Sequence, residues 1–167
     1  MNLLKALNIK KSLIFEKTNF YLLVVISLIF YFDRYSKIQI INKYNDQSIF
    51  INKFINFDLI WNTGIGFGLL STNSSLIYNS ITILISLIVV VLLYVALTSS
   101  TIEKIIFAAI IGGALGNLYD RIFYYAVPDF IDLHYGHFHW FVFNLADIFI
   151  SIGIIAFIVK DFLIKKK

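Results

Sequence analysis

The sequence predicts an all-α membrane protein of four transmembrane helices with a small β-rich portion outside the membrane. Apolar residues make up 59% of the chain, charged residues only 14%, and mean hydropathy is +0.83, far from the balance of a water-soluble domain. The apolar residues fall into four stretches; three are near the ~20 residues a helix needs to cross a bilayer, and the first, short by itself, approaches that length with the apolar residues from Leu13 onward. Lysines bracket the set: Lys5, Lys10, Lys11 and Lys17 precede the first stretch, and Lys160, Lys165, Lys166 and Lys167 follow the last. Basic flanks of this kind anchor a chain to membrane lipids and do not make a nucleic-acid surface. A length of 167 residues leaves room for the spans and modest loops, so one integral-membrane domain over 1–167 is expected. Cysteine is absent, which removes disulfides, thiolate nucleophiles and cysteine-ligated metals.

The first span is expected over about 14–34, where an apolar run from Phe20 to Phe32 is closed by Asp33-Arg34. Basic residues followed by a short apolar stretch also resemble a signal peptide, but Tyr35-Ser36-Lys37-Ile38 offers no small-residue cleavage site, so the segment is kept as a span. Residues 38–73 mix polar and apolar side chains. The alternation from Ile49 to Phe57 suggests short strands at the membrane surface, ending in the glycine-rich Asn62-Thr63-Gly64-Ile65-Gly66-Phe67-Gly68. The second span, about 76–97, is the clearest, and a tight connection over 98–104 leads to the third, about 105–122. Within it Gly112 and Gly116 are four apart, on one helical face, where they let a neighbouring backbone approach closely. An aromatic loop over 124–141 precedes the fourth span, about 142–160.

An even number of spans puts both termini on one side. The N-terminal segment, the 98–104 connection and the C-terminal tail together hold nine of the fourteen basic residues (four, one and four) and three of the ten acidic ones, which assigns them to the cytoplasm. Segments 38–73 and 124–141 are then extracytoplasmic, and Asp33, Asp120, Asp129 and Asp147 gather at the outer face although they are scattered in sequence.

A carboxylate at bilayer depth is costly unless it is paired or functional. Asn144 and Asp147 stand three apart on one helical face at the start of the last apolar run, with no basic residue within a turn. With Asp129 just upstream, two carboxyl groups at a membrane surface are the minimum equipment for general acid and base hydrolysis. Asp120-Arg121 reads equally as an ion pair ending the third span or as a substrate contact. Asn117 and Asn144 read as hydrogen bonds between helices or as substrate contacts. His134, His137 and His139 match no helical zinc spacing, so an interfacial setting among Tyr124, Tyr125, Phe130, Tyr135, Phe138, Trp140 and Phe141 is expected and no metal. The glycines from Gly64 to Gly68 lack the lysine of a phosphate loop. Outside enzymes, intramembrane carboxylates also mark proton-coupled transporters, but those usually need midplane polar groups and paired broken helices. A non-catalytic scaffold would tolerate Asp147→Asn.

The ordered segments Asp33-Arg34-Tyr35-Ser36-Lys37, Asn62-Thr63-Gly64, Gly112 through Arg121, Val127-Pro128-Asp129-Phe130 and Phe143-Asn144-Leu145-Ala146-Asp147 resemble the motifs of the lipoprotein signal peptidases, or type II signal peptidases. The chain departs from the family pattern at Ile65-Gly66, where a small alanine pair is usual. The resemblance implies an aspartyl peptidase of the bacterial inner membrane, with four helices, an extracytoplasmic β-rich cradle and both termini cytoplasmic. It implies a substrate, a prolipoprotein carrying diacylglycerol on a cysteine and cut immediately before that cysteine. Asp129 and Asp147 are the implied catalytic dyad. Asn62, Gly64, Asn117, Asp120, Arg121 and Asn144 are implied to support the dyad or bind substrate, as are Asp33 and Lys37 near the outer end of the first span. Neither a metal nor an organic cofactor is implied, and the chain is expected to act as a monomer on its prolipoprotein substrates among membrane lipids, with no nucleic-acid partner.

Overall fold

The structure, a computed structural model, describes residues 16–44, 47–64 and 74–165. Lys5, Lys10, Lys11, the first residues of the expected first span, Ile65 to Gly68, Lys166 and Lys167 lie outside the described residues. Among the described residues four helices and four strands follow one another: α1 (Lys17–Tyr44), β1 (Ile49–Asn52), β2 (Ile55–Asn62), α2 (Ser75–Thr98), α3 (Thr101–Phe123), β3 (Val127–Tyr135), β4 (Phe138–Phe143) and α4 (Leu145–Lys165). The strands form one antiparallel sheet in the order β1-β2-β3-β4, so α2 and α3 are inserted between its two central strands.

Helix α3 is the centre of the bundle and packs against α1, α2 and α4. Its glycines explain how. A Cβ on Gly112 would lie 2.8 Å from Cβ of Ile29, one on Gly116 would run into the Asp33 carboxylate, and one on Gly113 would lie 2.5 Å from the Ala146 carbonyl oxygen. Gly112 and Gly116 thus face α1, as their spacing predicts, while Gly113 admits α4. A buried cluster of Leu22, Ile26, Val89, Ala96, Phe107, Ala108 and Ile111 fills the space between α1, α2 and α3.

The outward faces are apolar as well: Leu76 is 79% exposed, Tyr94 69% and Ile155 60%. Contiguous apolar surface of this kind requires an apolar partner or hydrocarbon. Helices Ser75–Thr98 and Thr101–Phe123 are long and apolar enough to cross a membrane. In the other two, charge bounds the apolar run: Asp33-Arg34 and Lys37 in α1, Asp147 and Lys160-Asp161 in α4.

Two boundaries differ from the sequence expectation. Asp33-Arg34 does not close the first helix, which continues through residues 38–44, because Asp33, Arg34 and Lys37 are buried and bonded within the bundle and the charges have no need to leave it. Residues 142–143 belong to β4, and the last helix begins after Asn144. The expected loop over 124–141 is largely a hairpin, turned at Gly136 with φ +59°, a conformation that favours glycine. The alternation over 49–57 does form strands, β1 and most of β2.

One end of the bundle is tied by ion pairs. Lys104 Nζ donates to Glu16 (3.0 Å) and Thr18 (2.8 Å), and Lys160 Nζ to Glu103 (2.5 Å). Ser100 and Glu103 form a reciprocal N-terminal cap on α3. The start of α1, the α2–α3 connection and the end of α4 therefore share one end, and the sheet sits at the other.

Candidate active site

The first turn of α4 organises the site at the sheet end. Backbone N–H groups at a helix start lack partners within the helix. Here Asn144 Oδ1 accepts from Asp147 N (3.1 Å), Asp147 Oδ2 accepts from Asn144 N (3.2 Å), and Asp33 Oδ1, reaching over from α1, accepts from Ala146 N (2.9 Å). Asn117 on α3 adds a bond from Nδ2 to Asp147 Oδ1 (2.8 Å). The carboxylate of Asp147 is thus held from two directions.

Asp129 arrives from β3. Its Oδ2 accepts from Asn62 Nδ2 (2.8 Å) and its Oδ1 from Asn144 Nδ2 (2.6 Å). Asn62 ends β2, and the pairing of Ile60 with Asp129 and of Asn62 with Val127 places its amide beside the carboxylate. Burial, and secondarily the charge of Asp147, push the Asp129 carboxyl up to about 7, with the Asn62 and Asn144 amides pulling it back. Asp129 therefore divides between its protonated and ionised forms near neutral pH.

Behind Asn117 lies a fully buried lysine. Lys37 Nζ donates to Asp33 Oδ2 (2.8 Å) and Asn117 Oδ1 (2.8 Å) and pairs with Asp120 Oδ2 as an ion pair at 2.7 Å. Arg34 pairs with the other oxygen of Asp120 and stacks 4.5 Å from the Tyr119 ring centre. Buried charges survive only when compensated in this way.

Both carboxyl groups line one cavity of about 240 Å³, together with Asn62, Asn117 and Arg121. Ile85, Ala114, Val127 and Ile150 form apolar walls. The Arg121 guanidinium bonds the Gly64 carbonyl, and Gly64 N donates to Asn62 Oδ1 (2.7 Å). Two carboxyl groups facing one poorly hydrated space, one of them retaining a proton near neutral pH, can take a proton from water and give one to a carbonyl oxygen or an amine.

Of the residues singled out from sequence, Asp129, Asp147, Asn62, Asn117 and Arg121 line the cavity. Asn144 bonds both carboxylates, Gly64 contributes backbone, and Asp33, Lys37 and Asp120 stand behind. Asp120 and Arg121 do not pair with one another: consecutive helix residues point about 100° apart, and Asp120 turns to Arg34 and Lys37 while Arg121 turns to Gly64. Arg34 was missed as a participant because its partner lies 86 residues away and leaves no local signal. The histidines are not merely a belt. His134 and His139 pair across β3 and β4, and both approach Asp132 Oδ2, at 3.4 and 2.8 Å, while His137 sits in the turn.

A family model described as signal peptidase (SPase) II matches residues 25–163. A lipoprotein signal peptidase of Pelagibacter ubique (strain HTCC1062) is 52% identical over 89% of this chain and 92% of that protein. One of Francisella tularensis subsp. novicida (strain U112) is 35% identical over 93% and 99%. A solved structure described as a bacterial membrane enzyme at 2.3 Å superposes with a TM-score of 0.70 and 28% identity, covering 87% of this chain and 88% of that one. These likenesses point to a bacterial membrane protein. Because the match runs from α1 through α4 and takes in the whole carboxylate-lined cavity, the chain belongs to the signal peptidase II family, aspartic peptidases of the Peptidase_A8 type.

Proposed function

We propose that Asp129 and Asp147 are the catalytic dyad with which this peptidase removes signal peptides from prolipoproteins, cutting immediately before a diacylglyceryl-modified cysteine. The observation that carries the reading is the convergence of two buried carboxyl groups, from β3 and α4, on one cavity, with Asp129 held near half-protonation at neutral pH. The ionised member of the pair takes a proton from water, whose oxygen attacks the scissile carbonyl. The protonated member donates to the carbonyl oxygen; as the C–N bond breaks and the carbonyl re-forms, that proton returns to the pair and the leaving amine takes the one drawn from water. Asn62, Asn117 and Asn144 hold the two carboxyl groups, Arg121 binds substrate backbone, and the apolar walls take side chains near the cut. The chemistry calls on no metal and no organic cofactor.

All four helices cross the membrane in this reading, as one integral-membrane unit acting as a monomer. The ion-paired end, with its lysines, is cytoplasmic together with both termini, and the sheet is an extracytoplasmic cradle. The diacylglyceryl group anchors the substrate at the outer leaflet, at the height of the dyad. No nucleic acid takes part.

The test is mass spectrometry of a diacylglyceryl-modified prolipoprotein incubated in detergent with the purified parent and with Asp147→Asn. A product beginning at the lipidated cysteine, made by the parent and absent with the variant, is expected. Equal cleavage by a folded variant would remove Asp147 from the dyad.

A further inference from the structure

The β3–β4 hairpin carries a second constellation that the peptidase chemistry does not use. Asp132 and His134 are two apart on β3 and project from the same face, and His139 is paired directly with His134 on β4. One carboxylate and two imidazoles therefore meet on one patch of sheet, with a ligand atom from each lying within 4.8 Å of the others. Asp132 Oδ2 lies 2.8 Å from His139 Nδ1 and 3.4 Å from His134 Nδ1. Two donors on a tetrahedral ion, each about 2.0–2.1 Å from it, stand about 3.3 Å apart, so the His134 spacing departs from that of a shared ion by about 0.1 Å and the His139 spacing by about 0.5 Å.

A second observation points the same way. Asp132 and His134 are buried, at 2% and 6% exposure, yet among the described residues Asp132 Oδ1 and His134 Nδ1 have no hydrogen-bond partner. Buried polar atoms are normally bonded, and each exception needs an account. A cation held by the Asp132 carboxylate gives His134 Nδ1 a partner, and binding through both carboxylate oxygens reaches Oδ1 as well. The exposed His139 side chain, 55% accessible, leaves water a path to the remaining coordination position.

The geometry points to Asp132, His134 and His139 as a site for a borderline divalent ion of the Zn²⁺ class, with water as the fourth ligand. Two imidazoles and one carboxylate suit Zn²⁺ and select against Ca²⁺ and Mg²⁺, which take oxygen ligands. Because β3 also carries Asp129 and β4 leads into Asn144, an ion there clamps the hairpin that holds half of the carboxylate pair. The inference stands independently of the catalytic roles given to Asp129 and Asp147.

The experiment uses the full chain in detergent, free of any histidine tag, stripped with a chelator and titrated with Zn²⁺ against a chromophoric competitor. One ion per chain is expected. Asp132→Asn and His139→Ala should each weaken binding by at least about 100-fold, while His137→Ala, altering the histidine of the turn, should stay within about twofold of the parent. Bound Zn²⁺ should raise the unfolding temperature of the parent and not of His139→Ala, whose exposed position makes it the variant expected to fold. Co²⁺ in the parent should give the intense visible band of a four-coordinate site. Absence of a stoichiometric ion, equal affinity in His139→Ala, or a weak six-coordinate Co²⁺ spectrum in the parent would each overturn the inference.

Discussion

Replacing Asp129 with asparagine should lower cleavage by about 100- to 10,000-fold, the usual worth of a general acid or base, and at the same time flatten the dependence of stability on pH. In the folded chain burial and the Asp147 charge raise the Asp129 carboxyl from 3.8 to about 7, whereas the unfolded chain returns it to its ordinary value. An acid raised on folding contributes stability that is fully present below about pH 4 and is lost as pH climbs through about 7. The gap between 3.8 and about 7, at 1.36 kcal/mol per pH unit, sets a ceiling of about 4 kcal/mol on that loss. In a chain of this size each kcal/mol moves the unfolding temperature by about 2–4 °C, so the parent should lose on the order of 10 °C between pH 4 and pH 8 through this one group. The substituted amide does not ionise and removes that component. It also offers one oxygen where the carboxylate offered two, so the variant loses an acceptor for Asn62 or Asn144 at a cost of about 1–3 kcal/mol at every pH. Unfolding followed through Trp61 and Trp140 in detergent, at steps from pH 4 to pH 8, should therefore show a variant less stable than the parent in acid and, once the full loss is reached, more stable than it by about 1–3 kcal/mol in base. Parallel parent and variant curves would refute the reasoning.

Two further perturbations address the supporting layer. Lys37→Met leaves Asp33 without its buried cation and Asp120 with Arg34 alone, and should destabilise the fold by about 3–5 kcal/mol, read as a lowered unfolding temperature that Lys37→Arg partly restores. Gly116→Ala drives a methyl group into the Asp33 carboxylate and off its bond to Ala146 N, which should cost about 1–3 kcal/mol and lower kcat more than it changes KM. Gly136→Ala, by contrast, meets nothing within 4 Å and should cost about 1 kcal/mol of backbone strain without altering kcat.

How much of this was legible in the chain depended on whether the cause was local. A carboxylate at the head of an apolar run is an anomaly that needs no partner to be noticed, and it led to Asp147. The four-residue spacing of Gly112 and Gly116 likewise carries its own explanation. The extent of α1 was not legible, because Asp33-Arg34 resembles a terminus until Asp120, on another helix, is known to neutralise it. The hairpin over 127–143 was hidden for a different reason. Residues Val127 to Phe130 are buried on both faces, which erases the alternation by which a half-exposed strand is recognised. Asp132 was passed over because its meeting with His134 and His139 depends on strand register, and register is fixed by pairing partners far along the chain.

Asn144 bonds Asp129 through its side-chain nitrogen and Asp147 through its side-chain oxygen and backbone nitrogen. A single residue, through its side-chain amide on one side and its backbone N–H on the other, is therefore the ruler that sets the separation between two carboxyl groups arriving from a strand and a helix. The same bonds that measure out this gap also close the first turn of α4, so the turn cannot fray while the gap stays constant. Thermal loosening of one helix end and loss of chemical competence become the same event, and the pair reports the integrity of the helix that carries it.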